Sequence, residues 1–445
     1  GIFKTSIAMG IVLKGTAEII HSVSGGAFNE KWAIYAMTVV FVTYGFAGGL
    51  RATVVTEAIQ GPLIIVMSLL LLPVGLYAVG GFGALHHALH ASMFSLSTSG
   101  EEFSAKWIFA LSLTGLIGFL AQPGVVASFA SGKTEFEGRV GYTYGTIIKR
   151  FCAMGWVFTG VVLAALVAQG HTTAQQANQL AHHRELAFGY AMRDLLPHGV
   201  LGLMFAAIFA AQMAQLSAQM VNGSALAARN FYNAVIRPQA SDREILAIGR
   251  IFGILLVVMG VLLANALANV ANALTMLLQF SSIMGVVIWA GVFWRRANGK
   301  GAWAGVFVLF ILWAIFGPIG MMTSSGLHSY FTFPHWVGMY GAAPYVYELM
   351  LCYLPGGVLS LIVVSLLTRP LPKKKIDDFF MLLNTPVGQE QKLIDAGVPV
   401  VYVGNTQAHP WEEKYPKLVH WGGALIAAII CAGILGILKL LAVVR

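Results

Sequence analysis

About eleven apolar stretches, each near the length of a bilayer-spanning helix, run through this chain from end to end. They fall near 5–22, 32–48, 57–79, 106–128, 151–168, 199–226, 245–267, 273–293, 302–322, 346–367 and 420–442. Segments that are apolar on every side have no use for water and are stable only in lipid or deep in protein. Charged residues make up 10% of the 445 positions, whereas soluble domains carry roughly 25%. That excludes an ordinary globular protein. The fold class is all-α: a polytopic membrane protein.

Charge placement orients the chain. With the first stretch running outward, 20 of the 27 Lys and Arg residues lie in the inner gaps. The outer gaps and tail hold Lys31, Lys106, Arg184, Arg193 and Arg445. This is the asymmetry expected across a membrane, and it accounts for the net charge of +9 without nucleic acid. The expected location is the inner (plasma) membrane, in multi-pass form, with the lipid bilayer as first partner. Cys152, Cys352 and Cys431 sit in three different stretches, where no spacing suggests a disulfide or a metal site. The opening Gly1-Ile2-Phe3-Lys4 leads almost directly into a span, so an upstream part is expected.

The organisation reads as a bundle over 1–370, a basic connector over 371–419 and a final span over 420–445. The connector includes an amphipathic run from Ile376 to Leu383 behind Lys373, Lys374 and Lys375. Such a run suits either a tether or a helix lying on the membrane surface.

Function is sought in polar residues within apolar spans. Gln212, Gln215, Gln219 and Asn222 recur at spacings of 3, 4 and 3 and so share one helical face, with Ser217 and Ser224 on the same helix. Amides facing lipid would have no hydrogen-bond partners, so this face is expected to meet protein or a wet path. Two uses are open: the wall of a solute path, or interhelical bonding. Lys14 and Glu18 form an i, i+4 pair inside the first span. It serves equally as a structural ion pair or as a contact for substrate or protons.

Glu57 follows a glycine-rich segment and is read as opening a helix, with Gln60 one turn on. Either it caps that helix or it handles cations at the inner mouth. Gln122-Pro123-Gly124 interrupts another span, as breaks at transporter sites do, although a plain kink explains it too. Gln279, Ser281 and Ser282 form a smaller polar spot. His86, His87 and His90, with His182 and His183, read as interfacial histidines rather than a metal site, because no third ligand is defined. Walker, nucleophile-elbow and zincin patterns are absent, so no catalytic residue is assigned and no enzyme is expected.

Three segments resemble the sodium:solute symporter family. The first is Tyr44-Gly45-Phe46-Ala47-Gly48-Gly49-Leu50-Arg51, continuing through Thr56-Glu57 to Gln60. The second is Gln122-Pro123, followed by Ala130-Ser131-Gly132-Lys133-Thr134-Glu135. The third is Asn222-Gly223-Ser224-Ala225-Leu226, running to Asn230-Phe231-Tyr232. The resemblance implies a leucine-transporter-type bundle of two inverted five-helix repeats, of which the first is incomplete here. It also implies sodium-coupled transport of a small polar solute.

In that family a Met precedes two adjacent hydroxyl residues that hold a sodium ion. The matching positions here are Met213, Ala214 and Gln215, so the ion site is expected to be degenerate. Ala211 keeps the position of a backbone-carbonyl ligand, Ser217 lies close by, and Glu57 stands where Asp is common. No cofactor is implied beyond sodium, and coupling to sodium is expected to be weakened. The path-lining candidates are Gln122, Gln212, Gln215, Gln219 and Gln279. The alternative is a symporter-derived subunit that does not transport and acts as a scaffold among other membrane subunits.

Overall fold

The computed structural model describes residues 2–95, 104–119, 125–126, 132, 135–267, 270–315, 346–385, 389–400 and 416–443. The helices are α1 (Ile2–Val23), α2 (Glu30–Val79), α3 (Gly81–Ala88), α4 (Ala105–Phe119), α5 (Glu135–Ala168), α6 (Ala174–His182), α7 (Ala187–Leu195) and α8 (His198–Ala225). They continue with α9 (Asp242–Ala266), α10 (Val270–Phe293), α11 (Gly299–Ala314), α12 (Val346–Leu367), α13 (Lys373–Asn384), α14 (Gln391–Asp395) and α15 (Pro416–Val443). Among the described residues, 7 helices are long and apolar enough to cross a membrane. The shorter apolar segments Ala105–Gly118, Gly299–Ala314 and Trp421–Ile437 join them.

The chain forms two compact units. One comprises Gly1–Leu96, Tyr142–Leu274 and Gly422–Arg445; the other comprises Ser97–Gly141 and Thr275–Trp421.

In the first unit, α1, α2, α8 and α9 share a buried cluster that includes Met9, Leu13, Ile34, Phe41, Leu216, Met220 and Leu256. Close approach needs small residues. A Cβ on Gly10 of α1 would lie 3.1 Å from the Gly260 carbonyl oxygen of α9. A second cluster joins Met67 and Leu71 of α2 to Met192 of α7, Leu196, and Met204 and Ala207 of α8.

These contacts show that α2 cannot be a straight rod. Its first arm meets α8 where Ser217 Oγ donates to the Phe41 carbonyl oxygen at 3.3 Å. Its second arm packs with Met204 and Ala207, little more than ten residues earlier on α8. A straight helix would place Phe41 and Met67 about 39 Å apart, while Ala207 and Ser217 are separated by about 15 Å. The helical run therefore bends between its two arms. Its two arms match the spans expected at 32–48 and 57–79. The segment between them is helical rather than a separate turn, so Glu57 does not open a helix. The capping explanation for Glu57 fails on this point.

In the second unit, α11 and α12 run closely side by side. A Cβ on Gly357 would meet Leu309 Cγ at 2.0 Å, and one on Gly301 would meet Ser365 Oγ at 1.9 Å. α10 crosses α4 with backbones nearly touching: a Cβ on Gly285 would lie 2.0 Å from the Ile117 carbonyl oxygen. Trp289 Nε1 donates to that same oxygen at 3.0 Å. Ser282 and Tyr353 bond at 2.9 Å, which ties α10 to α12.

The Gly285→Ala change must force this crossing apart. It is expected to cost about 1–3 kcal/mol and lower the melting temperature in detergent. An unchanged melting temperature contradicts the crossing.

Candidate functional site

The polar stripe of α8 forms because its spacing matches the helical period. Its buried side faces α1, α2 and α9 and carries Ala214, Leu216, Ser217, Met220 and Gly223. Gln212 and Gln219 are half-buried, and Gln215 is exposed. Ser217 and Gln215 differ by two positions, about 160° around the axis. Ser217 is fully buried against the first arm of α2, where Gly45 leaves it room. These two side chains therefore cannot converge on one ion. Ala214 is buried and Ala211 half-buried, and an alanine side chain offers no oxygen.

Gln219 is half-buried on this side. Its Oε1 atom is enclosed and has no hydrogen-bond partner, as is Oε1 of Gln60 on the second arm of α2. An enclosed amide oxygen left unpaired costs about 1–3 kcal/mol. Glu57, one turn before Gln60, is exposed. Gln122 lies outside the described residues.

Gln279 belongs elsewhere. It is buried in the second unit, and its Oε1 accepts from Trp313 Nε1 at 2.9 Å. Its backbone carbonyl accepts from Ser282 Oγ at 2.7 Å. Gln279 thus ties α10 to α11. Ser281 is also turned onto its own helix, donating to the Leu277 carbonyl oxygen at 2.7 Å.

The structure also builds a charged cavity of about 350 Å³ that the sequence only half reveals. Its lining includes Lys14, Glu18, His21, Glu30, His183 and Glu185. Lys14 Nζ donates to Glu30 Oε2 at 2.6 Å and lies 3.6 Å from Glu18 Oε1. The i, i+4 spacing reveals Glu18. Glu30 arrives only because the loop after α1 returns the chain to the same end of the unit. Asn29 caps α2 there, accepting from the Lys31 N–H at 2.9 Å. His21 Nδ1 lies 2.8 Å from the Phe28 carbonyl oxygen and so holds the loop. α6, which brings Gln179 to the cavity, starts in a capping box of Thr173 and Gln176, and Gln176 Nε2 donates to Asp194 Oδ2 at 3.2 Å. Tyr190 donates to Gln179 Oε1 and links α7 to α6.

The histidines near the end of α3 have local uses. His86 stacks on Phe94 with centroids 3.9 Å apart, and His90 Nδ1 accepts from the Ser92 N–H at 3.3 Å.

The sodium:solute symporter family profile matches residues 2–308, a range that contains both arms of α2 and the whole of α8. This chain belongs to the sodium:solute symporter family. Members compared with it are carriers, not enzymes. The sodium/proline symporter of Escherichia coli (strain K12) is 26% identical over 332 residues, covering 72% of this chain and 63% of that one. The sodium/myo-inositol cotransporter 2 of Sus scrofa is 26% identical over 316 residues, covering 64% of this chain and 47% of that one. The chain thus spans roughly half to two thirds of these relatives' length. A sodium-coupled sialic acid symporter, solved substrate-bound and outward-open, has the same fold. The likeness has a TM-score of 0.58 at 16% identity, over 83% of this chain and 75% of that one. As a symporter-family protein with membrane-length apolar helices, this is a multi-pass membrane protein.

Removing the cation from the cavity gives a direct check. Lys14→Met leaves Glu18 enclosed beside Glu30 and is expected to cost about 1–3 kcal/mol. Lys14→Met combined with Glu18→Gln recovers most of that loss. Equal melting temperatures for Lys14→Met and the parent protein argue against the bridge.

Proposed function

We propose that this protein carries a small polar solute across the membrane, driven by sodium, with coupling through the usual family site weakened. The family match over residues 2–308 is the observation that carries this reading. The relatives include proline and myo-inositol carriers, and the solved neighbour carries sialic acid. Polar solutes with several hydroxyl or charged groups suit a wall of amides, which can both donate and accept.

In this reading Gln212, Gln215, Gln219 and Gln122 line the path. The half-burial of Gln212 and Gln219 beside the exposed Gln215 supports the assignment, because such a side of α8 is neither fully packed nor fully open. Glu57 serves cations at the inner mouth, and its exposure on the second arm of α2 is compatible with that role. The charged cavity around Lys14 stands at the outer end of the first unit and forms an antechamber.

Weakened coupling follows from chemistry. Sodium prefers a compact cage of oxygens. Ala214 supplies none from its side chain, and Gln215 reaches farther than a hydroxyl would. The alternative, a non-transporting scaffold subunit, draws support from the exposure of Gln215, a polar side that another subunit could cover.

Uptake into proteoliposomes decides between these readings, with proline, myo-inositol and sialic acid as probes and a sodium gradient as the drive. The expected result is sodium-stimulated uptake of one probe with a high half-saturating sodium concentration. Restoring the hydroxyl pair as Ala214→Ser/Gln215→Ser is expected to lower that concentration at least about tenfold, roughly 1.4 kcal/mol of ion binding. Tight coupling in the parent protein that Gln215→Ala abolishes overturns weakened coupling. Folded protein that moves none of the probes favours the scaffold.

A further inference from the structure

The segment after α12 is fixed in place by two side chains at the inner end of the second unit. Asn298 Nδ2 donates to the Ser365 carbonyl oxygen at 3.2 Å and to Thr368 Oγ1 at 2.8 Å. Arg296 Nη2 donates to the Leu366 and Thr368 carbonyl oxygens at 3.1 and 3.0 Å. These bonds satisfy the last carbonyls of a membrane span, so they mark where that span leaves the bilayer. Only Thr368–Pro372 separates that point from α13, which therefore sits at interfacial depth.

Next to this corner, Arg295 holds α13. Its Nη2 pairs with Asp377 Oδ1 at 2.5 Å, and its guanidinium lies 4.8 Å from the centre of the Phe380 ring. The docked edge of α13 is thus Asp377 and Phe380. The apolar arc beside it is left uncovered: Phe379 is 46% exposed, Leu382 43% and Leu383 46%. Lys373, Lys374 and Lys375 stand exposed on the first turn, just after Arg369. An apolar arc lined up at the end of a membrane span, with a cluster of cations at its start, complements an anionic bilayer surface in both polarity and charge.

We propose that α13 is a lipid-binding helix lying along the inner leaflet. Phe379, Leu382 and Leu383 enter the acyl boundary, and Lys373, Lys374 and Lys375 meet anionic headgroups. Arg295 sets the roll of the helix by gripping Asp377, so the apolar arc faces the membrane rather than water. The inference is independent of the transport reading, because it uses neither α8 nor the charged cavity.

The test uses the full chain with Cys152, Cys352 and Cys431 replaced by Ala and one new cysteine, either Leu383→Cys or Asp378→Cys. Each carries a polarity-sensitive fluorophore in vesicles of phosphatidylcholine, with or without phosphatidylglycerol, and with a quencher attached to the acyl chains. The expected result is strong quenching at Leu383, weak quenching at Asp378, and more quenching at Leu383 when phosphatidylglycerol is present. Replacing Lys373, Lys374 and Lys375 with Gln is expected to reduce the ratio of inserted to free helix at least about tenfold on the anionic vesicles. Equal quenching at the two positions overturns the proposal. So does quenching at Leu383 that ignores phosphatidylglycerol, or a probe there that is shielded from water but untouched by the lipid quencher, which would mean that protein covers the arc.

Discussion

A bilayer interior offers no water, so each polar group placed there must find a partner in protein, solute or a wet cavity. The amide side of α8 exists under that constraint. Gln212, Gln215 and Gln219 stand away from the packed side that Ser217 and Met220 share with α2 and α9. The protein fills the packed side with methionine, leucine and glycine contacts and leaves amides on the other. This division makes α8 the centre of the functional reading. It also separates Ser217, bonded to Phe41, from Gln215.

The same constraint shapes the rest of the molecule. Where helices touch, glycines bring backbones together, as at Gly285 against Ile117 and Gly10 against Gly260. In the first span the buried charge is matched: Lys14 stands between Glu18 and Glu30. Where a span ends, Asn298 and Arg296 take up its last carbonyls. Large apolar side chains such as Phe109, Ile59 and Leu262 are exposed at 71%, 74% and 65%, as lipid-facing positions in a membrane protein are.

Much of this was legible in the sequence, for reasons that differ by element. The limits of α1 and α12 follow from hydropathy, which tracks the bilayer directly. The shared side of the α8 amides follows from helical period alone. The Lys14–Glu18 pair follows from i, i+4 spacing, but its link to Glu30 depends on a loop return that no local pattern encodes. A polar group such as Gln279 in an apolar span invites a path reading from sequence. Trp313, 34 positions away, turns out to be its partner, and only tertiary packing reveals it. The helical link between the arms of α2 was hidden for a similar reason. Glycines at 48 and 49 suggest a turn, yet helix continues through them.

The central claim is that the amide side of α8 faces water or solute and not acyl chains. Its most direct measurement is the reaction of Gln215→Cys, in intact vesicles and without the native cysteines, with a membrane-impermeant charged thiol reagent. The account predicts rapid modification at this position and slow modification of a cysteine on the packed side at Met220. Modification of Gln215→Cys only by an uncharged, lipid-soluble reagent would contradict it.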